Sequence, residues 1–191
     1  MNKRVFIVHQ WFGNPNSDWY PWLKNELEKF KYGVIVFPMP NPNEPKINEW
    51  IATLKNSINN LRTTDIFVGH SVGCQTILRF LENLPNDLKI AKVIMVAGWF
   101  SLTNLGDEEI KIAKPWLETP IAFEKIKKKV SSFTAIFSDN DPYVPLKKNS
   151  EIFGKQLGAK IIVEKNKGHF SESAGITQLP IALKSVLEIA G

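Results

Sequence analysis

Short apolar runs alternate along this chain with longer segments in which apolar residues recur at helical spacing. The short runs are rich in β-branched and aromatic residues, and glycine, proline or asparagine stands at the junctions between segments. Continuous apolar runs are typical of strands buried on both faces, and their alternation with helices predicts a parallel sheet wrapped by helices. We predict strands over residues 5–8, 34–37, 66–68, 93–96, 134–137 and 161–163.

Five of the longer segments have the apolar spacing of amphipathic helices. Two other segments are expected to be irregular. Residues 38–45 contain four prolines and are predicted to be extended surface chain. Residues 98–119 are predicted to form an elaborated loop with short helices. The five helices are predicted over residues 21–30, 47–61, 72–83, 146–157 and 178–189.

The order of the strands follows from placing the second strand outside the first and the third strand on the other side of the first. The six strands then have the order 2-1-3-4-5-6, and the chain reverses direction between strands one and three, which leaves a crevice at their carboxyl ends. The predicted fold class is therefore α/β: a three-layer arrangement with a six-stranded, mainly parallel sheet and helices on both faces. A length of 191 residues fits a single domain, 1–191, without a large cap domain.

Composition and charge favour a globular protein of a reducing compartment. Hydrophobic residues make up 43% of the chain and charged residues 23%, which excludes a disordered or fibrous protein. The formal net charge is +5, but the one dense basic cluster is interpreted as the solvent-facing side of a short helix. A single cysteine excludes an intrachain disulfide, and no apolar run resembles a signal-peptide core or spans a bilayer. We expect a cytoplasmic protein, monomeric or weakly dimeric, without nucleic-acid or membrane partners. The basic cluster consists of Lys125, Lys127, Lys128 and Lys129.

The sharpest local signal is Gly-x-Ser-x-Gly at residues 69–73, which directly follows the third predicted strand and begins a helix. A serine on so tight a turn is held in a strained backbone conformation, and the flanking glycines leave room for the approaching strand and helix. The hydroxyl of Ser71 would then project from the carboxyl edge of the sheet as a nucleophile. The alternative is an ordinary glycine-rich turn that binds an anion at the helix N-terminus.

A serine hydroxyl becomes a strong nucleophile when a neutral imidazole removes its proton and a carboxylate orients that imidazole. His169 follows the last strand on a glycine loop and is predicted to be the general base. Asp141 follows the fifth strand and is predicted to be the carboxylate, because two prolines rigidify its turn. Asp139 is its rival, and an Asx turn is the other interpretation of that residue. The chain order Ser71, Asp141, His169 is typical of α/β-hydrolases.

Two further histidines are interpreted as structural. His9 closes the first strand and is expected to order the following loop, whereas His70 lies inside the turn and is expected to be packed and hydrogen-bonded. Together with His169 and Asp141 they could form a metal site, but no pair of them has the short spacing of zinc ligands. We predict no metal and no organic cofactor.

The loop after the first strand faces Ser71 across the predicted crevice and is expected to supply a backbone N–H for a developing oxyanion. The N–H groups of Trp11 and Val72 are the two predicted donors, with Gln10 as the alternate for the first. Aromatic side chains in loops at the same edge are predicted to line an apolar substrate pocket, with capping of the core as the alternative role. These side chains are Trp11, Phe12, Trp99, Phe100, Trp116 and Phe170.

Ordered matches to one group of proteins run along nearly the whole chain, at residues 19–23, 69–73, 105–108, 115–116, 124–127, 138–145 and 168–170. In these segments the chain resembles the small, lid-poor α/β-hydrolases of the retinoblastoma-binding-protein-nine and YdeN type. The resemblance implies serine hydrolase activity, with Ser71, Asp141 and His169 as the catalytic triad. It does not imply a defined natural substrate.

The sequence therefore predicts a serine hydrolase that cleaves a carboxylic ester, a thioester or a small amide through an acyl-enzyme intermediate. A serine at position 71, in place of aspartate, argues against dehalogenase or epoxide-hydrolase chemistry. Esterase activity is favoured over peptidase activity, and the lack of a large cap favours short acyl groups. The alternative is a catalytically silent hydrolase fold that is retained for binding protein partners.

Overall fold

The computed structural model of the chain describes residues 3–188, and its centre is a six-stranded sheet in which every strand pair is parallel. The strand order is β2-β1-β3-β4-β5-β6, which confirms the predicted topology and its reversal of direction between β1 and β3. Each observed strand overlaps a predicted one and begins at the same residue or up to four residues earlier, and all but the second strand, which stops one residue short, reach or pass the predicted end. The strands are β1 (Arg4–Val8), β2 (Gly33–Val36), β3 (Ile66–His70), β4 (Ile90–Val96), β5 (Val130–Ser138) and β6 (Lys160–Glu164).

Helices cover both faces of the sheet, as predicted. One buried apolar cluster lies between the sheet and α2, α3 and α6, and a second lies between the opposite face and α1 and α7. Residue 189, the predicted end of the last helix, lies outside the described residues. Between residues 3 and 188, no helix combines the length and the apolar character needed to cross a bilayer. The helices are α1 (Tyr20–Lys29), α2 (Ile47–Ser57), α3 (Val72–Glu82), α4 (Asp107–Glu118), α5 (Phe123–Lys127), α6 (Leu146–Leu157) and α7 (Pro180–Leu187).

Residues 98–119 were predicted to form an elaborated loop with short helices, and the helix found there, α4, is longer than expected, with three turns. The carboxylate of Glu109 accepts the Gly106 N–H at 2.8 Å, and the first turn is acidic, which suits the positive end of a helix. Pro115 stands near the end of the helix, where its missing N–H removes one bond without breaking the earlier turns. The capping contact and the acidic first turn therefore stabilise the start of α4, and Pro115 is tolerated near its end.

The basic cluster at residues 125–129 is not uniformly solvent-facing. Helix α5 carries the first members of the cluster, but Lys129 is 1% exposed. Its ammonium donates to the carbonyls of Leu81, Glu82 and Leu84, at the C-terminal end of α3. Carbonyls at the end of a helix lack their full set of helical donors, so the lysine adds a donor there and is itself compensated for its burial. The solvent-facing interpretation was therefore wrong for Lys129, whereas the other three lysines of the cluster are exposed.

Helix α3 begins in close contact with the backbone of β1 and β3. A Cβ atom added at Gly73 would lie 2.3 Å from the carbonyl oxygen of Val8 and 2.8 Å from that of His9. A Cβ atom added at Gly69 would lie 2.8 Å from the Cα atom of Cys74. Both glycines are therefore required by backbone packing, and they place the N-terminus of α3 directly at the switch point of the sheet.

Replacing Gly73 with alanine should lower the free energy of unfolding by about 3 kcal/mol or more, because the new methyl group would meet backbone that cannot rotate away. Gly33→Ala is the matched control, since a Cβ atom at Gly33 would meet only the flexible Arg4 side chain, at 3.9 Å. Chemical denaturation of both variants measures the difference. Equal stabilities for the two variants would contradict the packing argument.

Candidate active site

Ser71 occupies the turn between β3 and α3 and has a positive φ, with φ 53° and ψ −118°, in agreement with the strained backbone predicted for it. This conformation is strained for a residue with a side chain and costs about 1–3 kcal/mol, so the surrounding structure must hold it. The Ser71 N–H donates to the carbonyl of Val96 at the end of β4, at 2.9 Å. The turn is thereby fixed to the neighbouring strand.

His169 lies on the loop after β6 and is oriented by Asp141, from the loop after β5. Its Nδ1 atom lies 2.8 Å from Asp141 Oδ2. The other carboxylate oxygen accepts the N–H groups of Tyr143 and Val144, at 2.9 and 3.1 Å, so the Asp141 side chain is held in place before it meets the imidazole. Asp139, the rival carboxylate, instead accepts the N–H of Asn166 at 2.8 Å. Geometry therefore pairs His169 with Asp141.

Ser71 and His169 line the same cavity, at the carboxyl edge of the sheet, with a volume of about 220 Å³. Within the described chain, the hydrogen-bond partner of the Ser71 hydroxyl is the indole N–H of Trp99, at 3.2 Å. The Tyr143 ring stands edge-on to His169 with ring centroids 5.5 Å apart. The three residues of the predicted triad are thus brought to one site from three loops that are far apart in the sequence.

Only some of the predicted pocket residues line this cavity. Trp11, Phe12 and Trp99 do, whereas two others belong to the hydrophobic core clusters and a third is partly buried against one of them. The cavity also contains residues that sequence reasoning missed, because their places depend on α4 and on the turn after β5. The core residues are Trp116 and Phe170, the partly buried one is Phe100, and the missed lining residues include Leu102, Leu105, Glu109 and Tyr143.

The displaced aromatic residues have specific partners in the core. Phe100 packs against the rings of Phe123 and Phe153, with centroids 5.2 and 4.9 Å apart. Trp116 faces inward from α4, and its indole N–H donates to the carbonyl of Pro45 at 2.9 Å. Phe170 is fully buried in the cluster shared with α1 and α7. Their side chains thus turn inward and do not line the cavity beside Ser71.

The loop after β1 leaves one backbone donor free beside the cavity. The Gln10 N–H is already used, because it donates to the Tyr20 hydroxyl at 3.0 Å. Between residues 3 and 188, the backbone N–H groups of Trp11 and Val72 have no protein acceptor among the turn, loop and helix-cap hydrogen bonds. The alternate donor Gln10 is therefore committed to Tyr20, while the two first choices remain available to a ligand.

His9 holds this loop in place. Its Nδ1–H donates to the carbonyl of Gln10 at 2.7 Å, and its Nε2 accepts the N–H of Met39 at 3.2 Å. Burial lowers the pKa of His9, which matches an imidazole that uses one nitrogen as donor and the other as acceptor. The proline-rich segment and the loop after β1 are thereby joined through a neutral ring.

His70 connects the loops around the cavity through a directed chain of hydrogen bonds. Its Nε2 lies 2.8 Å from the carbonyl of His169, and since a carbonyl only accepts, this nitrogen carries the proton. Its Nδ1 must then accept from the Tyr20 hydroxyl, 2.7 Å away, which in turn accepts the Gln10 N–H. One fully buried imidazole therefore links the loops after β1 and β6 to the turn that carries Ser71.

Asp18 closes the same network on its outer side. One carboxylate oxygen accepts the side-chain amide of Gln10 at 2.8 Å, and the other accepts the N–H of Glu172 at 2.7 Å. The loop after β1 is thus tied a second time to the segment that follows His169. Neither connection could be assigned from the sequence, because its members lie up to 154 residues apart.

The chain is similar to known proteins along nearly its whole length. The model of a family described as serine hydrolase matches residues 5–188. The YdeN hydrolase of Bacillus subtilis strain 168 is 31% identical over 182 residues, which cover 95% of this chain and 93% of YdeN. The serine hydrolase RBBP9 of Rattus norvegicus is 27% identical over 181 residues, 92% of each chain.

Solved structures show the same fold. The crystal structure of the ydeN gene product of B. subtilis matches with a TM-score of 0.89 at 29% identity and covers 97% of both chains. Est1E from Butyrivibrio proteoclasticus matches with a TM-score of 0.69 at 13% identity, over 97% of this chain and 85% of Est1E. The second likeness concerns the fold alone.

His70 should make the protein less stable in acid. Desolvation by burial, followed by the nearby His169, lowers the pKa of His70 to about 4, whereas the unfolded chain protonates this residue near 6.5. Between these values the unfolded state binds the extra proton, so the free energy of unfolding falls by about 3 kcal/mol on acidification from pH 6.5 to 4.

Urea unfolding of the wild type and of His70→Gln at several pH values between 4 and 7 tests this expectation. Glutamine retains an amide donor for the carbonyl of His169 but does not titrate. The variant should show a flatter dependence of stability on pH, and equal slopes for the two proteins would contradict the assignment.

Proposed function

The chain belongs to the serine hydrolase family, and we propose that it hydrolyses small carboxylic esters, thioesters or amides through an acyl-enzyme formed on Ser71. We propose further that esters are better substrates than peptides. The observation that carries the proposal is the placement of Ser71 and His169 on one cavity, with His169 Nδ1 held 2.8 Å from a buried Asp141 carboxylate.

The Asp141 contact supports His169 as the general base. A proton on Nδ1 that is donated to Asp141 leaves the lone pair of Nε2 free to accept the Ser71 proton. The Ser71 oxygen then attacks the carbonyl carbon, and the carbonyl π electrons move onto its oxygen. When this intermediate collapses, the leaving group departs with the proton from His169, and the acyl group remains on Ser71.

Deacylation repeats these steps with water as the nucleophile. His169 takes a proton from water, the hydroxide adds to the acyl carbon, and the C–Oγ bond breaks as His169 returns the proton to Ser71. The free N–H groups of Trp11 and Val72 are suited to hold the oxyanion in both halves of the reaction. Each such donor typically contributes about 10²–10³ in turnover.

The size of the cavity supports small acyl groups. Pockets for drug-sized ligands enclose about 300–1,000 Å³, whereas the cavity beside Ser71 has a volume of about 220 Å³. Its walls include Trp11, Phe12 and Leu105, which favour an apolar acyl or leaving group.

A fluorophosphonate probe should label the wild-type protein once, at Ser71, and fail to label Ser71→Ala or His169→Ala. Both variants should also lose at least about 10³-fold in kcat, as is typical when one member of a triad is removed. Ser173→Ala is the matched control for labelling, because Ser173 lines the same cavity and should leave the label at Ser71. A folded wild type that resists the probe would favour the binding-module alternative.

A series of p-nitrophenyl esters of increasing acyl length should give the highest kcat/KM for short acyl groups, since longer chains exceed the cavity volume. Aminoacyl anilides measured beside the esters compare ester with amide cleavage. A clear maximum at long acyl chains would contradict the proposed size limit, and faster anilide cleavage would contradict the preference for esters.

A further inference from the structure

We propose that Trp99 is a further catalytic residue, whose indole N–H donates a hydrogen bond to the Ser71 oxygen and stabilises that oxygen as it leaves the acyl-enzyme. The sequence assigned Trp99 only to the pocket wall. The proposal rests on the proposed function, because it concerns the same oxygen atom, but it adds a donor that belongs neither to the triad nor to the oxyanion hole.

The contact between Trp99 and Ser71 is buried and has a fixed direction. Trp99 Nε1 lies 3.2 Å from Ser71 Oγ, and an indole nitrogen can only donate. Trp99 is 1% exposed and Ser71 5% exposed, so water cannot readily replace either partner. The hydroxyl that accepts this bond retains its own proton, which it can still donate to His169.

The Trp99 main chain is held from two helices. Its carbonyl accepts the side-chain amide of Gln75 at 2.6 Å, and Gln75 lies one helical turn after Ser71 on α3. The next two N–H groups, those of Phe100 and Ser101, donate to the buried Asn149 side chain of α6, at 2.7 and 3.0 Å. The indole is therefore positioned before any substrate binds, which is the condition for useful electrostatic stabilisation.

The value of this donor differs between the two halves of the reaction. In the resting enzyme Ser71 Oγ is a hydroxyl oxygen and a good acceptor. In the acyl-enzyme it is an ester oxygen, which is a poor acceptor. As the C–Oγ bond breaks in deacylation, Oγ takes the bonding electron pair and gains negative charge until His169 returns the proton.

A donor lowers a barrier only by the amount that its bond strengthens between the ground state and the transition state. For acylation the ground state already contains a good hydrogen bond, so the gain is small. For deacylation the ground state contains a weak one, so the gain is larger. Trp99 is therefore expected to accelerate deacylation more than acylation.

Trp99→Phe removes the N–H and retains an aromatic ring. With p-nitrophenyl acetate we expect kcat, limited by deacylation, to fall about 10- to 100-fold, the usual effect of one hydrogen bond to a charged group. The ratio kcat/KM, which reports acylation, should fall by a smaller factor, and KM should decrease. Stopped-flow measurement should show a fast burst of nitrophenol followed by a slower steady state than in the wild type.

Trp50→Phe is the matched control. Trp50 is fully buried like Trp99, but its indole N–H donates at 2.8 Å to the carbonyl of Pro40, away from Ser71. This variant should be less stable, but its kcat should not fall by a larger factor than its kcat/KM. Equal falls of kcat and kcat/KM in Trp99→Phe, or no fall in either, would overturn the proposal.

Gln75→Met keeps the indole but removes the amide that holds the Trp99 carbonyl, and provides a second variant if Trp99→Phe does not fold. We expect kcat to fall more than kcat/KM, as in Trp99→Phe, but by smaller factors. A Gln75→Met enzyme with wild-type values of both parameters would contradict the positioning of Trp99 by α3.

Nuclear magnetic resonance tests the hydrogen bond without turnover. The indole N–H signal of Trp99 is identified by its loss in Trp99→Phe. Its chemical shift should change in Ser71→Ala, and it should also change in the wild type when a fluorophosphonate is bound to Ser71. An unchanged signal would overturn the contact itself. A wild type without a burst or label would instead contradict the proposed function, so the two failures are distinguishable.

Discussion

The close approach of α3 to the backbone of β1 and β3 is the constraint on which the site depends. Ser71 adopts a left-handed conformation at this junction, and the two flanking glycines admit backbone where any side chain would collide. The strain of the turn is balanced by the sheet beside it, to which the Ser71 N–H is bonded. A serine side chain is thereby directed into the crevice that the strand order opens between β1 and β3.

Buried polar groups then fix the loops around this serine. The neutral His70 ring connects the loop after β1 with the loop of His169, and Asp18 connects the same segments on the outside. Such networks stabilise a structure only when every member is satisfied, and here each nitrogen of His70 has a partner of the right kind. The network also consumes the Gln10 N–H, which leaves that of Trp11 as the free donor.

The surroundings of the Ser71 oxygen show how the proposed chemistry and the fold share the same contacts. Helix α3 contributes both the turn and Gln75, which holds the residue whose indole reaches back to Ser71. Helix α6 supports the next residues of the same loop through Asn149. A small cavity with an aromatic wall is thus bounded by groups that are already hydrogen-bonded in the absence of substrate.

The sequence by itself determined the features that short segments encode. Apolar runs indicated the six strands, and glycines at fixed spacing beside a strand indicated the turn at Ser71, because backbone strain and packing at a tight turn act locally. The choice of Asp141 over Asp139 was also suggested locally, by its prolines. Helix α4 also had local signals, an acidic first turn and a capping glutamate, but the sequence analysis expected only short helices within a loop there.

The tertiary structure alone decided which groups meet across long separations. It turned Trp116 and Phe170 into the core, packed Phe100 against it, buried Lys129 against the end of α3, and aimed the Trp99 indole at Ser71. Sequence position places a loop at an edge of the sheet, but the direction of a side chain depends on which neighbours fill the space around it. That space is defined only when all layers are packed, so the partners of buried polar and aromatic groups cannot be assigned earlier.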